Sequence, residues 1–158
     1  MQQGVQRTSL QDIADKLGIT KPALYYHFAS REELVRSILV PLIDEGERFV
    51  EDQERRGDVD ARELLEGYFD FHYRHRHDLI LVLAEISMLA DLGLIDKVLA
   101  WRDRLGKMVF GPRPTLAQST RAVVAFGGLQ DCCLQFPDTP YEALRATSVD
   151  AAFAALGV

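Results

Sequence analysis

Apolar residues recur along this chain at intervals of three and four, the period of a helix buried on one face, and no stretch alternates strictly as a half-buried strand would. Start and stop signals cut the pattern into segments. Ser30-Arg31-Glu32-Glu33 reads as a capping box, in which the serine oxygen takes an orphan N–H and Glu33 reaches back to the serine amide. The helix it opens is predicted to run through Phe49 to about Arg56, with Gly57 as its stop and Pro41 as the place for a kink or break. Asp60 to Glu63 repeats the capping logic ahead of Leu64, Leu65, Tyr68, Phe69 and His72. Further helices are predicted from Leu79 to about Ala90 and from about Leu94 to Phe110. Gly111-Pro112-Arg113-Pro114 breaks the chain. Thr115-x-x-Gln118 opens a helix ending near Phe136-Pro137, and Thr139-Pro140-Tyr141-Glu142 joins cap, first-turn proline and box partner ahead of a last helix running nearly to Gly157. The predicted fold class is all-α.

The first thirty residues carry shorter elements. Thr8 or Ser9 can cap a helix whose Ile13, Ala14 and Leu17 share a face, and Gly18 stops it. Thr20 caps a second, with Pro22 in its first turn and Leu24 and Phe28 as an apolar pair. Two short helices joined by about three residues that include Gly make a helix-turn-helix unit, whose second helix enters the DNA major groove by its N-terminal end. Lys21 and Ala23 suit guanine edges and thymine methyls there. Tyr25, Tyr26 and His27 are left partly outward by the inward Leu24 and Phe28, and can donate to phosphate oxygens. Arg31, with the free amides that open its helix, adds a phosphate site.

Composition changes this picture in one respect. The 158 residues carry a net charge of −6, which taken globally argues against a strongly electrostatic nucleic-acid binder. The charge is uneven, however. Residues 1–31 hold four bases and two acids, so +2, while fourteen bases and twenty-two acids leave −8 on the remainder. An apolar fraction of 47% allows a real core. No uninterrupted apolar run reaches the roughly 18 residues that span a bilayer, so no membrane partner is expected. The adjacent Cys132 and Cys133 cannot staple distant segments, and the start lacks a signal sequence, which points to a reducing cytoplasm.

The run from Thr8 to Phe28, with T-S, I-A, L-G and then L-Y-Y-H-F, resembles the DNA-binding core of the tetracycline-repressor (TetR) family, and the likeness extends through Arg31 and Leu34 over about 35 residues. The resemblance implies a helix-turn-helix DNA-binding head over 1–40 and a ligand-binding and dimerisation body over 41–158. Gln11, Thr20, Lys21, Pro22 and Ala23 then occupy positions that face bases, and Thr8, Tyr25, Tyr26, His27 and Arg31 positions that hold the backbone. The family has a full helix before this unit, of which only the last residues could exist here, so the head is expected to be incomplete at its N-terminus.

For such a body the sequence must supply a pocket and an interface. Tyr68, Phe69, His72, Leu83, Met88, Trp101, Phe126 and Gln130 are the candidate ligand-binding residues: a mostly apolar set in which His72 and Gln130, with Glu85, provide polar fixtures. The interface is expected on the last two helices. Gly127-Gly128 in mid-helix costs about 1 kcal/mol per glycine relative to alanine, which a close approach would offset. Ala151, Ala152, Ala154 and Ala155 give the last helix a small-residue surface. Two such helices from each of two chains make a four-helix seam about a two-fold axis, and two heads imply a palindromic operator in double-stranded DNA.

His72, His75 and His77 do not complete a metal set, since only the first two share a helical face and no carboxylate or cysteine joins them. No nucleophile–base pair, acid pair or phosphate loop stands out, so neither an enzyme nor a cofactor is expected. The function expected is that of a ligand-responsive transcriptional regulator, a repressor released from its operator by a small, largely apolar effector. The alternative is a helical small-molecule-binding or interaction protein whose incomplete head does not bind DNA.

Overall fold

The computed structural model describes residues 20, 22, 26–79, 90 and 93–158. Most of the helix-turn-helix unit and most of the helix expected from Leu79 to about Ala90 lie outside these residues. Five helices are built by the rest: α1 (Arg31–Arg56), α2 (Ala61–Arg74), α3 (Leu94–Phe110), α4 (Leu116–Gln135) and α5 (Tyr141–Leu156). No strand occurs among the described residues, and the fold is all-α.

The helix ends follow from local chemistry. At α1 the Ser30 side chain accepts from the Glu33 amide at 3.1 Å. The Glu33 carboxylate, however, takes the amide of Ala29 at 2.7 Å instead of that of Ser30. Ser30 is extended (φ −147°, ψ 168°), which turns the preceding amide over the helix end. Asp60 caps α2 by accepting from the Glu63 amide at 2.9 Å. Thr115 and Gln118 form the full reciprocal box at α4. The expected cap of α5 differs: Pro140 itself occupies the N-cap and makes no side-chain cap bond, so Thr139 stands one residue too early to serve. Proline still suits the site, because an amide there would have had no partner.

Pro41 neither breaks α1 nor ends it, and the helix runs 26 residues through it. The ring removes one backbone donor, and the exposed position of Pro41 leaves the orphaned carbonyl of Ser37 open to water. The boundary expected at 40/41 therefore falls inside one continuous helix, which head and body would share.

Helix α4 is the centre of the body, packing against α2, α3 and α5, while α2 also meets α5 and α3 meets α1. Phe69, Phe126, Leu65, Leu105 and Leu156 are fully enclosed in the core. Polar ties hold the layers in register. On one side, Arg145 of α5 donates to Asp70 and Glu66 of α2 at 2.8 and 3.1 Å, and the Tyr141 hydroxyl donates to Asp70 at 2.7 Å. On the other, Arg104 of α3 binds Glu54 twice and also Glu47, both on α1. The Glu47 carboxylate is held below its usual pKa by Arg104 and by the Trp101 indole N–H.

Trp101 reaches this junction because α1 has a glycine beneath it. A Cβ on Gly46 would stand 2.4 Å from the indole Cη2, so any side chain there would displace the ring. The indole N–H donates to Glu47 at 2.8 Å. No described helix is long and apolar enough to cross a membrane.

Candidate functional site

Two regions carry the expected functional residues. At the head, Thr8, Gln11, Lys21, Ala23 and Tyr25 lie outside the described residues. Thr20, Pro22, Tyr26 and His27 are exposed, and Arg31 is half-buried at the first turn of α1. Tyr26 is 86% exposed, with its ring edge-on to His27 at 5.2 Å. A large aromatic left this open matches the outward position read from the flanking apolar pair.

In the body, Leu83 and Met88, like the further fixture Glu85, lie outside the described residues, while Tyr68, Phe69, His72, Trp101 and Phe126 are buried and Gln130 is half-buried. Three of the aromatic groups meet. Tyr68 and His72, one turn apart on α2, have ring centroids 4.1 Å apart, and Phe126 of α4 stands edge-on to Tyr68 at 5.0 Å. Phe69 and Trp101 point elsewhere: Phe69 stacks on Tyr73 at 5.7 Å, towards α5, and Trp101 seats on α1. One residue's step along α2 is about 100°, which separates Phe69 from Tyr68.

The polar members are organised by a residue the sequence reading passed over. Arg102 of α3 donates to the Gln130 carbonyl oxygen at 2.6 Å. Burial raises the pKa of the Tyr68 phenol, and the adjacent Arg102 charge opposes that shift. Burial pushes His72 down to about 4, with the same guanidinium contributing in the same direction, although the ring's bond to the Tyr68 carbonyl at 2.9 Å works against it. The imidazole is therefore neutral near pH 7, carrying its proton on Nδ1 towards that carbonyl and keeping Nε2 as an acceptor. Tyr68, His72, Gln130 and Arg102 thus converge from α2, α3 and α4. Gly127 belongs to this arrangement, since a Cβ there would lie 3.6 Å from Arg102 Nη1.

The histidine-rich end of α2 serves packing between helices. His75 and Arg74 face Glu45 of α1 at 3.2 and 2.9 Å, and Arg76 donates to the Tyr73 carbonyl at 2.7 Å while lying over its ring. Cys133 is buried, and burial pushes its thiol up to about 12, which leaves it an inert apolar side chain at neutral pH.

The described residues form an all-helical body that opens with one long helix, and two solved structures share this fold. A TerR/AcrR-family transcriptional regulator from Aquifex aeolicus superposes with a TM-score of 0.70 at 20% identity, over 94% of this chain and 88% of that one. The TetR-family regulator PfmR of Thermus thermophilus gives 0.62 at 22% identity, over 96% and 88%. Residues 1–38 match the family model described as bacterial regulatory proteins, tetR family. Over those residues the chain is similar to that family.

Among named relatives, the HTH-type transcriptional regulator TtgR of Pseudomonas putida is 37% identical over 71 residues, 42% of this chain and 34% of that protein. The HTH-type transcriptional repressor KstR2 of Mycobacterium tuberculosis is 44% identical over 43 residues, 27% of this chain and 22% of that protein. The HTH-type transcriptional activator FasR of Mycolicibacterium smegmatis is 36% identical over 72 residues, 43% of this chain and 32% of that protein. The chain spans about a third or less of the length of these relatives.

Proposed function

We propose that this chain is a dimeric, ligand-responsive DNA-binding regulator, a repressor that leaves a palindromic operator when a small effector occupies its body. The observation that carries the reading is the tetR-family match over residues 1–38, on a chain whose body has the helical layout of such regulators. Residues 1–40 are the reading head and 41–158 the effector and dimer body. Gln11, Thr20, Lys21, Pro22 and Ala23 face bases. Thr8, Tyr25, Tyr26, His27 and Arg31 hold phosphates, and this part of the site sets register without reading sequence.

The dimer forms through α4 and α5. Their outer side supports this: Val124 is more than half exposed, and a groove of about 190 Å³ between the two helices is lined by Val124, Gly128, Cys132, Ala151 and Ala155. Ala151 and Ala154 face outward and Gly128 has open space above it, while Ala152 is spent on the chain's own core. A second copy can therefore approach closely on that face.

Effector acts by linkage. It prefers the arrangement of α1 in which the two heads do not fit the operator, and DNA prefers the other, so each weakens the other's binding by the same factor. Helix α1 is the carrier, because it starts at the head and is clasped to α3 through Gly46, Glu47 and Glu54. Gel-shift selection from a pool of randomised palindromic duplexes tests the reading. Specific retention is expected against competitor DNA, with Tyr26→Phe weakening all duplexes alike and Lys21→Ala changing the bases preferred. Failure to enrich any duplex over competitor would overturn it.

A further inference from the structure

Arg102 differs from the other two half-buried arginines that tie α3 and α5 to their neighbours. Arg104 has Glu47 and Glu54, and Arg145 has Asp70 and Glu66. Among the described residues no carboxylate lies within ion-pair distance of Arg102, and its Nε is buried with no hydrogen-bond partner. Its acceptors are neutral, the Gln130 carbonyl oxygen and the Tyr68 hydroxyl. Asp103, next in sequence, lines the neighbouring cleft and is itself paired with Lys107. A half-buried guanidinium with an unpartnered Nε–H and no counter-charge gains from an anion that completes it.

Space for that anion adjoins it. Between α3 and α4 lies a cleft of about 190 Å³ whose polar lining is Arg102, Asp103 and Ser119 and whose remaining wall is apolar, from Leu99, Gly106, Pro114, Ala122 and Val123. Gly106 keeps the floor open, because a Cβ there would press on that of Ala122 at 3.1 Å. Tyr68 and His72 feel the Arg102 charge from the interior side, so the guanidinium sets a positive local potential.

We propose that the cleft binds a small monocarboxylate with an apolar body, whose carboxylate pairs with Arg102 while its body lies against Leu99, Pro114 and Val123. The inference rests on the ligand-responsive reading and narrows the effector to an anion. A planar fork of donors with a free Nε–H favours the two oxygens of a carboxylate over a single acceptor. The cleft's size limits the body to roughly the bulk of octanoate or phenylpropanoate.

Titration calorimetry of the full chain at pH 7.5 with octanoate, octanamide, 3-phenylpropanoate and 3-phenylpropanamide tests this. Each acid is expected to bind at least tenfold more tightly than its amide. Arg102→Met is expected to abolish that preference, and Arg102→Lys to keep part of it, with circular dichroism confirming that both variants fold. Equal binding of acid and amide, an acid preference that survives Arg102→Met, or no binding of either acid would overturn the inference. Amide binding without preference leaves the ligand-responsive reading standing. Acid binding that does not weaken DNA retention keeps the site and removes the regulation.

Discussion

Two arginines two residues apart on α3 have opposite surroundings. Arg104 reaches α1, where Glu47 and Glu54 take its charge, and their grip holds its pKa above the ordinary arginine range. Arg102 turns the other way, to α2 and α4, and finds a phenol, an imidazole and an amide in place of a carboxylate. A separation of two residues on a helix is about 200°, enough to assign them to different neighbours. The first arrangement is closed by the chain itself, as a structural tie is. The second leaves a charge unmet, as a site for something else would.

The largest expected effect lies on the Arg102 side. Phe126→Ala opens a cavity beside Tyr68 and should destabilise the fold by about 4 kcal/mol in urea titration at fixed protein concentration. A loss below about 1 kcal/mol would mean that this region is loosely packed.

Next comes a pH window. His72 titrates near 6.5 when unfolded and at about 4 when folded, so between these values the unfolded state binds the extra proton. Stability from the buried neutral ring is full above 6.5 and is lost as pH falls towards 4, by up to roughly 3 kcal/mol. Denaturation of the wild type and His72→Phe from pH 7 to 4 should show a steeper decline for the wild type. Parallel profiles would contradict the neutral ring.

On the Arg104 side, Gly46→Ala drives a methyl group into the Trp101 ring and should cost about 2 kcal/mol. The same change at Gly128, which has nothing within reach, should be neutral or stabilising as regards the monomer, since alanine favours helix. The smallest pair sharpens the contrast directly. Arg104→Met should cost about 1 kcal/mol, because it frees two glutamates from a partly exposed network. Arg102→Met should cost less, or even stabilise, since it removes a cation whose partners are neutral and not a counter-charge. Equal losses would make Arg102 a structural tie as well.

Legibility in the sequence followed the range of the interactions. Caps, breaks and the span of α3 are set by residues three or four apart, and Asp60, Thr115, Gly57 and the 111–114 turn announced them. Where two local signals competed at α5, proline took the cap position and left Thr139 one residue too early to serve. Tyr68, His72 and Phe126 were recognisable as inward-facing types, and their rings do meet in the core. Arg102 was not, because its sequence neighbours are charged and its partners lie 28 and more residues away. A cation within Trp101-Arg102-Asp103-Arg104 looks like a solvated face until the rotation of α3 is known. Gly127 was read as a sign of close contact between helices, and the contact found within the chain is with Arg102.

Trp101 is the chain's only tryptophan, and it sits where α3 presses on α1, with its N–H on Glu47. Its emission is therefore a built-in optical gauge of that one junction, free of background from any other indole. A ring lifted from Gly46 meets water and shifts its light to the red, while a ring that stays seated does not. Movement of the helix that leads to the head can thus be followed in the unlabelled protein, in real time, at the wavelength of a single side chain.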